Sequence, residues 1–282
     1  MTETTPSLTP EQIEQHARIL EVEVDRKTLA SSAMTLASAG QTEAAAALSR
    51  FLTAPDFWAR LDELDEPDLK LANLASVLAA LAKHPTGVNE PLALALLADE
   101  DFKADADRAT FVLPMVAAVR PMSETVAALF RRTNNEGYRN SNGPLLVANG
   151  SPRALAIFVE MVADRNVPAE DRIDMIHWAV PAHRATPGVL ETLAPLLEQQ
   201  LEPEVEKALL ETFFDYQGDD WFGVARFAPV PPPWSEVDTD VLGVCLDVGF
   251  RVTQTRRLPE ELKTTIESTL DEIRKELAGR WA

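Results

Sequence analysis

At 282 residues, 46% apolar and 25% charged, the chain has ample material for a packed core and is not a disordered tail. Its formal net charge of −19 repels nucleic acid and anionic membrane surfaces and attracts basic partners. Cys245 is the one cysteine, which excludes an internal disulfide and fits a reducing compartment. The first residues, Met1-Thr-Glu-Thr-Thr-Pro6, lack the basic and apolar regions of a secretion signal, and the apolar-rich run 69–82 is too short to span a bilayer. The expectation is a soluble cytoplasmic protein that contacts no membrane.

Residues 1–9 show no periodicity and are read as a flexible N-terminus. Thr9-Pro10-Glu11 is a helix start, with Thr as cap, Pro in the first position and an acid in the first turn, and predicts a helix to about Lys27. Residues 28–39 and 41–52 read as a helical hairpin turned at Gly40, followed by a short helix from Pro55 and a break at Pro67, so that 10–67 forms N-terminal hairpins. From Asp68 the pairs become regular: 69–83 with 91–98, 107–120 with 122–133, a short helix near 144–148 with 151–164, then 172–183 with 189–199, and a helix from Pro203 to about Tyr216. Asp107-Arg108, Arg120 and Pro121-Met-Ser-Glu124 recur as Asp171-Arg172, Arg184 and Ala185-Thr-Pro-Gly188, an offset of 64 residues, or two units of about 32.

Two stretches interrupt this rhythm. Residues 131–143 are polar, asparagine-rich and end in glycine, which predicts a long loop. Residues 217–237 hold Pro229-Val-Pro-Pro-Pro-Trp234 and cannot be regular helix. A C-terminal capping hairpin, 238–254 with 258–278, closes the chain, its last helix striped by Leu262, Ile266, Leu270, Ile273 and Leu277.

Leu145-Leu-Val-Ala-Asn-Gly-Ser-Pro-Arg-Ala-Leu155, Pro168-Ala-Glu-Asp-Arg172 and Leu201-Glu-Pro-Glu-Val205 resemble the turns of HEAT-like repeats, and Pro114 and Pro181 sit where a HEAT repeat's first helix is often kinked. The resemblance covers roughly 68–216. It implies an all-α superhelix, a solenoid of about six or seven hairpins running continuously through the chain. On function it implies little, because such folds serve scaffolds, adaptors and a few enzymes.

The chemistry-bearing residues argue against catalysis. Asp99, Asp101, Asp105 and Asp107 lack the glycine and terminal glutamate of a calcium loop. His177 and His183, six apart, do not share a helix face as metal ligands do. Ser151 reads as a helix N-cap and Cys245 as a buried thiol. No catalytic residue, metal or cofactor is expected. Charge is uneven: 55–107 carry 12 acidic and 4 basic side chains, 188–240 carry 12 and 2, and 108–187 carry 7 and 9. The expected function is a non-catalytic protein-binding scaffold, adaptor or inhibitor for a basic protein. Its expected contacts are Arg131, Arg132, Asn134, Asn135, Tyr138 and Arg139 in the middle third, with Asp99, Glu100 and Asp101 on the acidic side. The alternative is a HEAT-like enzyme such as an alkylbase DNA glycosylase or a pigment lyase. A glycosylase needs a basic groove, and nucleic acid is not expected as a partner.

Overall fold

The computed structural model describes residues 7–22, 25–54, 67–98, 106–135, 139–180, 186, 188–199, 201–214, 233–255 and 258–281. Among the described residues the protein is all-α, with fourteen α-helices, two short 3-10 helices and no strand. The chain divides into two compact units, Met1–Val126 and Ala127–Ala282. The expected short helix at Pro55 and the prolines Pro181 and Pro229 lie outside the described residues.

In the first unit the helices are α1 (Pro10–Val22), α2 (Arg26–Ser38), α3 (Thr42–Leu52), α4 (Pro67–Lys83), α5 (Asn89–Ala98) and α6 (Ala106–Ala117). Thr9 starts α1 through a reciprocal cap: its hydroxyl accepts from the Gln12 amide at 3.3 Å, and the Gln12 side-chain oxygen accepts from the Thr9 amide at 2.8 Å. The first helix ends at Val22 rather than near Lys27. A second cap explains the break, since the Asp25 carboxylate accepts from the Thr28 amide at 2.9 Å and hydroxyl at 2.7 Å and so opens α2. Likewise α5 begins at Asn89, two residues before the expected Pro91. The buried Asn89 side chain donates to the Leu81 carbonyl at 2.8 Å and accepts from the Thr86 amide and hydroxyl, each at 3.1 Å, so the α4–α5 turn satisfies its own polar groups.

Helix packing in this unit follows two rows. α2 lies on α4 and α4 on α6, while α3 lies on α5, and α1 covers α2 and α3. Alanine makes the contacts close: Ala44, Ala45 and Ala47 of α3 are buried with Leu48 and Leu52. At the end of the unit, Ser123 accepts from the Val126 amide at 3.1 Å and donates to Glu90 of α5 at 2.6 Å, fixing the start of α7 (Glu124–Asn135).

The second unit holds most of α7 and then α8 (Arg139–Asn149), α9 (Pro152–Ala163), α10 (Ala169–Ala179), α11 (Val189–Leu193), α12 (Pro203–Phe214), α13 (Thr239–Thr255) and α14 (Glu260–Arg280). Here too helices pack two apart: α8 on α10, α10 on α12 and α12 on α14 in one row, α9 on α11 and α11 on α13 in the other. Contacts of α8 with α9, α9 with α10 and α13 with α14 join the rows. The predicted stripes are where the spacing put them. Leu155, Phe158, Val162, Leu190, Leu193 and Leu197 are buried, as are Leu262, Ile266, Leu270 and Ile273 of α14, while Leu277 at the end of that stripe is half-buried.

Three details depart from the sequence reading. The stretch 131–143 is mostly helix: α7 runs to Asn135 and α8 starts at Arg139, five residues before the expected Pro144. Helix α11 is short because Pro195 has no amide hydrogen to continue it, and the chain tightens into a 3-10 turn over Ala194–Glu198. Ser151 stands at the N-cap position of α9 but makes no side-chain cap; its hydroxyl donates instead to the buried Asn149 at 2.5 Å.

Glycine decides two contacts. Gly143 sits in α8, where an added Cβ would lie 3.4 Å from Met175 of α10 and Phe158 of α9, so the helix is held close to both neighbours. Gly249 of α13 is tighter still, because an added Cβ would fall 2.5 Å from Cδ2 of the buried Leu270 on α14. Gly249→Ala is therefore expected to destabilise the protein by about 1–3 kcal/mol through overpacking, despite alanine's better helix propensity. A urea unfolding curve with an unchanged or raised midpoint would contradict this packing.

Candidate functional site

Of the polar residues that the sequence marks for contacts, Arg131, Arg132 and Asn134 have described side chains, all on α7. Arg131, on the exposed side of α7, reaches Glu160 of α9 with two parallel bonds, Nε to Oε2 at 2.9 Å and Nη2 to Oε1 at 3.1 Å. This hydrogen-bonded guanidinium holds the Glu160 carboxyl below the ordinary carboxylate range. Both side chains are about half exposed, 43% and 54%, so water screens the pair. Replacing Arg131 by Ala is accordingly expected to change the unfolding free energy by less than about 1 kcal/mol in a denaturant titration. Arg132, next in the helix, is exposed as well.

The inner side of the α7–α8 corner is different. Asn142, fully buried in α8, donates through its amide nitrogen to Thr133 at 2.9 Å and to Asn134 at 2.6 Å on α7, and among the described residues its own Oδ1 has no hydrogen-bond partner. Asn134, expected as a contact residue, is thus buried and structural. Asn135 ends α7 and Arg139 begins α8. Tyr138, Asp99, Glu100 and Asp101 lie outside the described residues. Of the expected contact set, the corner brings the Arg131 and Arg132 side chains to the surface.

Two further titratable sites stand out on α10. Arg172 is 1% exposed, and its guanidinium donates to the Val167 and Val162 carbonyls at 3.1 and 3.4 Å and to Glu202 at 2.9 Å. A second guanidinium nitrogen reaches the other Glu202 oxygen, also at 2.9 Å. These bonds pull the Glu202 carboxyl down to about 2. His177 is partly buried, and desolvation lowers its pKa, so its imidazole is neutral near neutral pH. Among the described residues no group of three or more His, Cys, Asp or Glu side chains is placed to hold a metal ion, and no helix is long and apolar enough to cross a membrane.

Comparison with protein-family models, curated proteins and solved structures found no match to this chain. The surface chemistry of the chain itself therefore carries the functional argument. What the sequence reading passed over is the outer side of α10, where Glu170, Asp174 and Trp178 recur every four residues. That spacing is legible in the sequence itself.

Proposed function

We propose that this chain is a non-catalytic protein-binding scaffold of the HEAT-like solenoid type, whose partner is a basic protein. The observation that carries the reading is the row packing within each unit, in which a helix lies against the next but one along the chain. Stacked hairpins of that kind bury their apolar stripes against one another and leave their outer faces free for a partner. The net charge of −19 gives those faces their sign, favouring basic partners and opposing nucleic acid and anionic membranes.

Affinity capture of the full chain from an extract of its source cells tests this, performed at roughly 50 and 500 mM salt to span weak and strong screening. The expected result is one stoichiometric partner with a basic surface, recovered at low salt and diminished at high salt. Recovery of nucleic acid, or of no stoichiometric partner at either salt, would overturn the reading.

A further inference from the structure

Helix α10 turns one side to the core and leaves Glu170 and Trp178 exposed on the other, with Asp174 half-buried between them. Arg172, Met175, Ile176 and Ala179 are buried at i, i+3, i+4 and i+7. On the opposite side stand Glu170, Asp174 and Trp178, at i, i+4 and i+8, with successive Cβ atoms roughly 5–6 Å apart. Trp178 is 42% exposed. Glu170, Asp171 and Asp174 make no hydrogen bond or ion pair among the described residues. Lys207, on the neighbouring α12, is taken by Glu211 of its own helix at 3.4 Å. The Asp174 carboxyl sits above its ordinary range, first because it is partly desolvated and then because Asp171 and Glu170 repel its charge.

The same protein shows how it completes such a surface elsewhere. Phe250 of α13 is exposed to a similar degree, 44%, but the Arg274 guanidinium lies over its ring at 4.8 Å from the centroid. Asp271 in turn accepts from Arg274 at 2.6 Å. Aromatic ring, guanidinium and carboxylate form one stack. The α10 surface has the ring and the carboxylates and, among the described residues, lacks the cation.

We propose that the Glu170–Asp174–Trp178 stripe is the docking site for an arginine-bearing segment of the protein partner, the guanidinium lying over the Trp178 indole and donating to the carboxylates beside it. Arginine suits this place better than lysine, because its planar fork stacks on a ring and bonds a carboxylate at once. This assignment rests on the scaffold reading and adds to it a location and a partner chemistry.

Fluorescence anisotropy with a labelled hexa-arginine peptide on the full chain at low salt tests it, with hexa-lysine for comparison. The expected result is binding of hexa-arginine in preference to hexa-lysine, weakened roughly tenfold by Trp178→Ala and, independently, by Glu170→Gln combined with Asp174→Asn. Trp281→Ala, which removes a tryptophan that is 81% exposed at the other end of the unit's sequence, is expected to leave binding unchanged. The carboxamide variant keeps the size of the acids, so a loss there reports charge and not folding. If hexa-arginine binds the Trp178 and carboxamide variants as tightly as the Trp281 variant, the stripe is not the site, while the basic-partner reading stands. If the wild-type chain binds neither peptide, both fall.

Discussion

Arg172→Ala is expected to lower the unfolding free energy by roughly 2–5 kcal/mol, through the cavity and the two unsatisfied carbonyls it leaves, because Glu202 is itself 36% exposed and is rehydrated. Arg172 is 1% exposed and serves two backbone carbonyls and both oxygens of Glu202. Truncation leaves a cavity where the guanidinium was, strips Val167 and Val162 of a donor, and leaves Glu202 without its cation. Arg172→Lys should recover part of the loss, since an ammonium replaces the charge but cannot match the fork. Chemical denaturation of both variants checks the order. Parent and Arg172→Ala unfolding at the same midpoint would remove the guanidinium from the account of stability.

The same pair sets a pH signature. Glu202 titrates at about 2 in the folded chain against an ordinary value of 4.5, so folding favours its charged form. Its contribution is complete above the ordinary value and is lost as pH falls from there towards about 2. Glu202→Gln should flatten the dependence of stability on pH across that window and leave the rest of the profile in place.

The second large effect is expected at Phe158, where truncation to Ala should cost about 3–5 kcal/mol. Phe158 is fully buried in α9, and its ring lies close to α8 at Gly143, where the missing side chain permits a tight helix–helix approach. Surroundings that close cannot collapse into the space left behind, which places the cost towards the upper part of the range. Leu193→Ala in α11 should cost less, about 2–5 kcal/mol, for a smaller fully buried side chain. Thermal unfolding with both variants indistinguishable from the parent would contradict the assignment of these residues to the core.

Helix existence was legible wherever an apolar stripe coincided with a local start signal, as at Thr9-Pro10 or along Leu262–Ile273. Boundaries failed where polar side chains did structural work inside the fold. Asn142 and Gly143 look like loop residues because asparagine and glycine are weak helix formers. In α8 one supplies a buried amide to α7 and the other permits close approach to α9 and α10, and neither gain is visible without the neighbouring helices. The Asp25 cap is a local signal, because its carboxylate meets Thr28 only three residues later. The contact residues fared similarly. The sequence marked Arg131 and Asn134 together as polar loop residues, whereas both stand on α7 at the edge of its buried face, Arg131 exposed and paired with Glu160, Asn134 buried and bonded to Asn142.

The central claim, an acidic helical scaffold for a basic protein, is tested most directly by measuring association and dissociation rates of the captured partner across a salt series. Long-range attraction acts on encounter, so the account predicts an association rate that falls steeply with salt and a dissociation rate that changes far less. An association rate independent of salt would contradict it, and would leave the net charge of −19 as a device for keeping the chain dispersed.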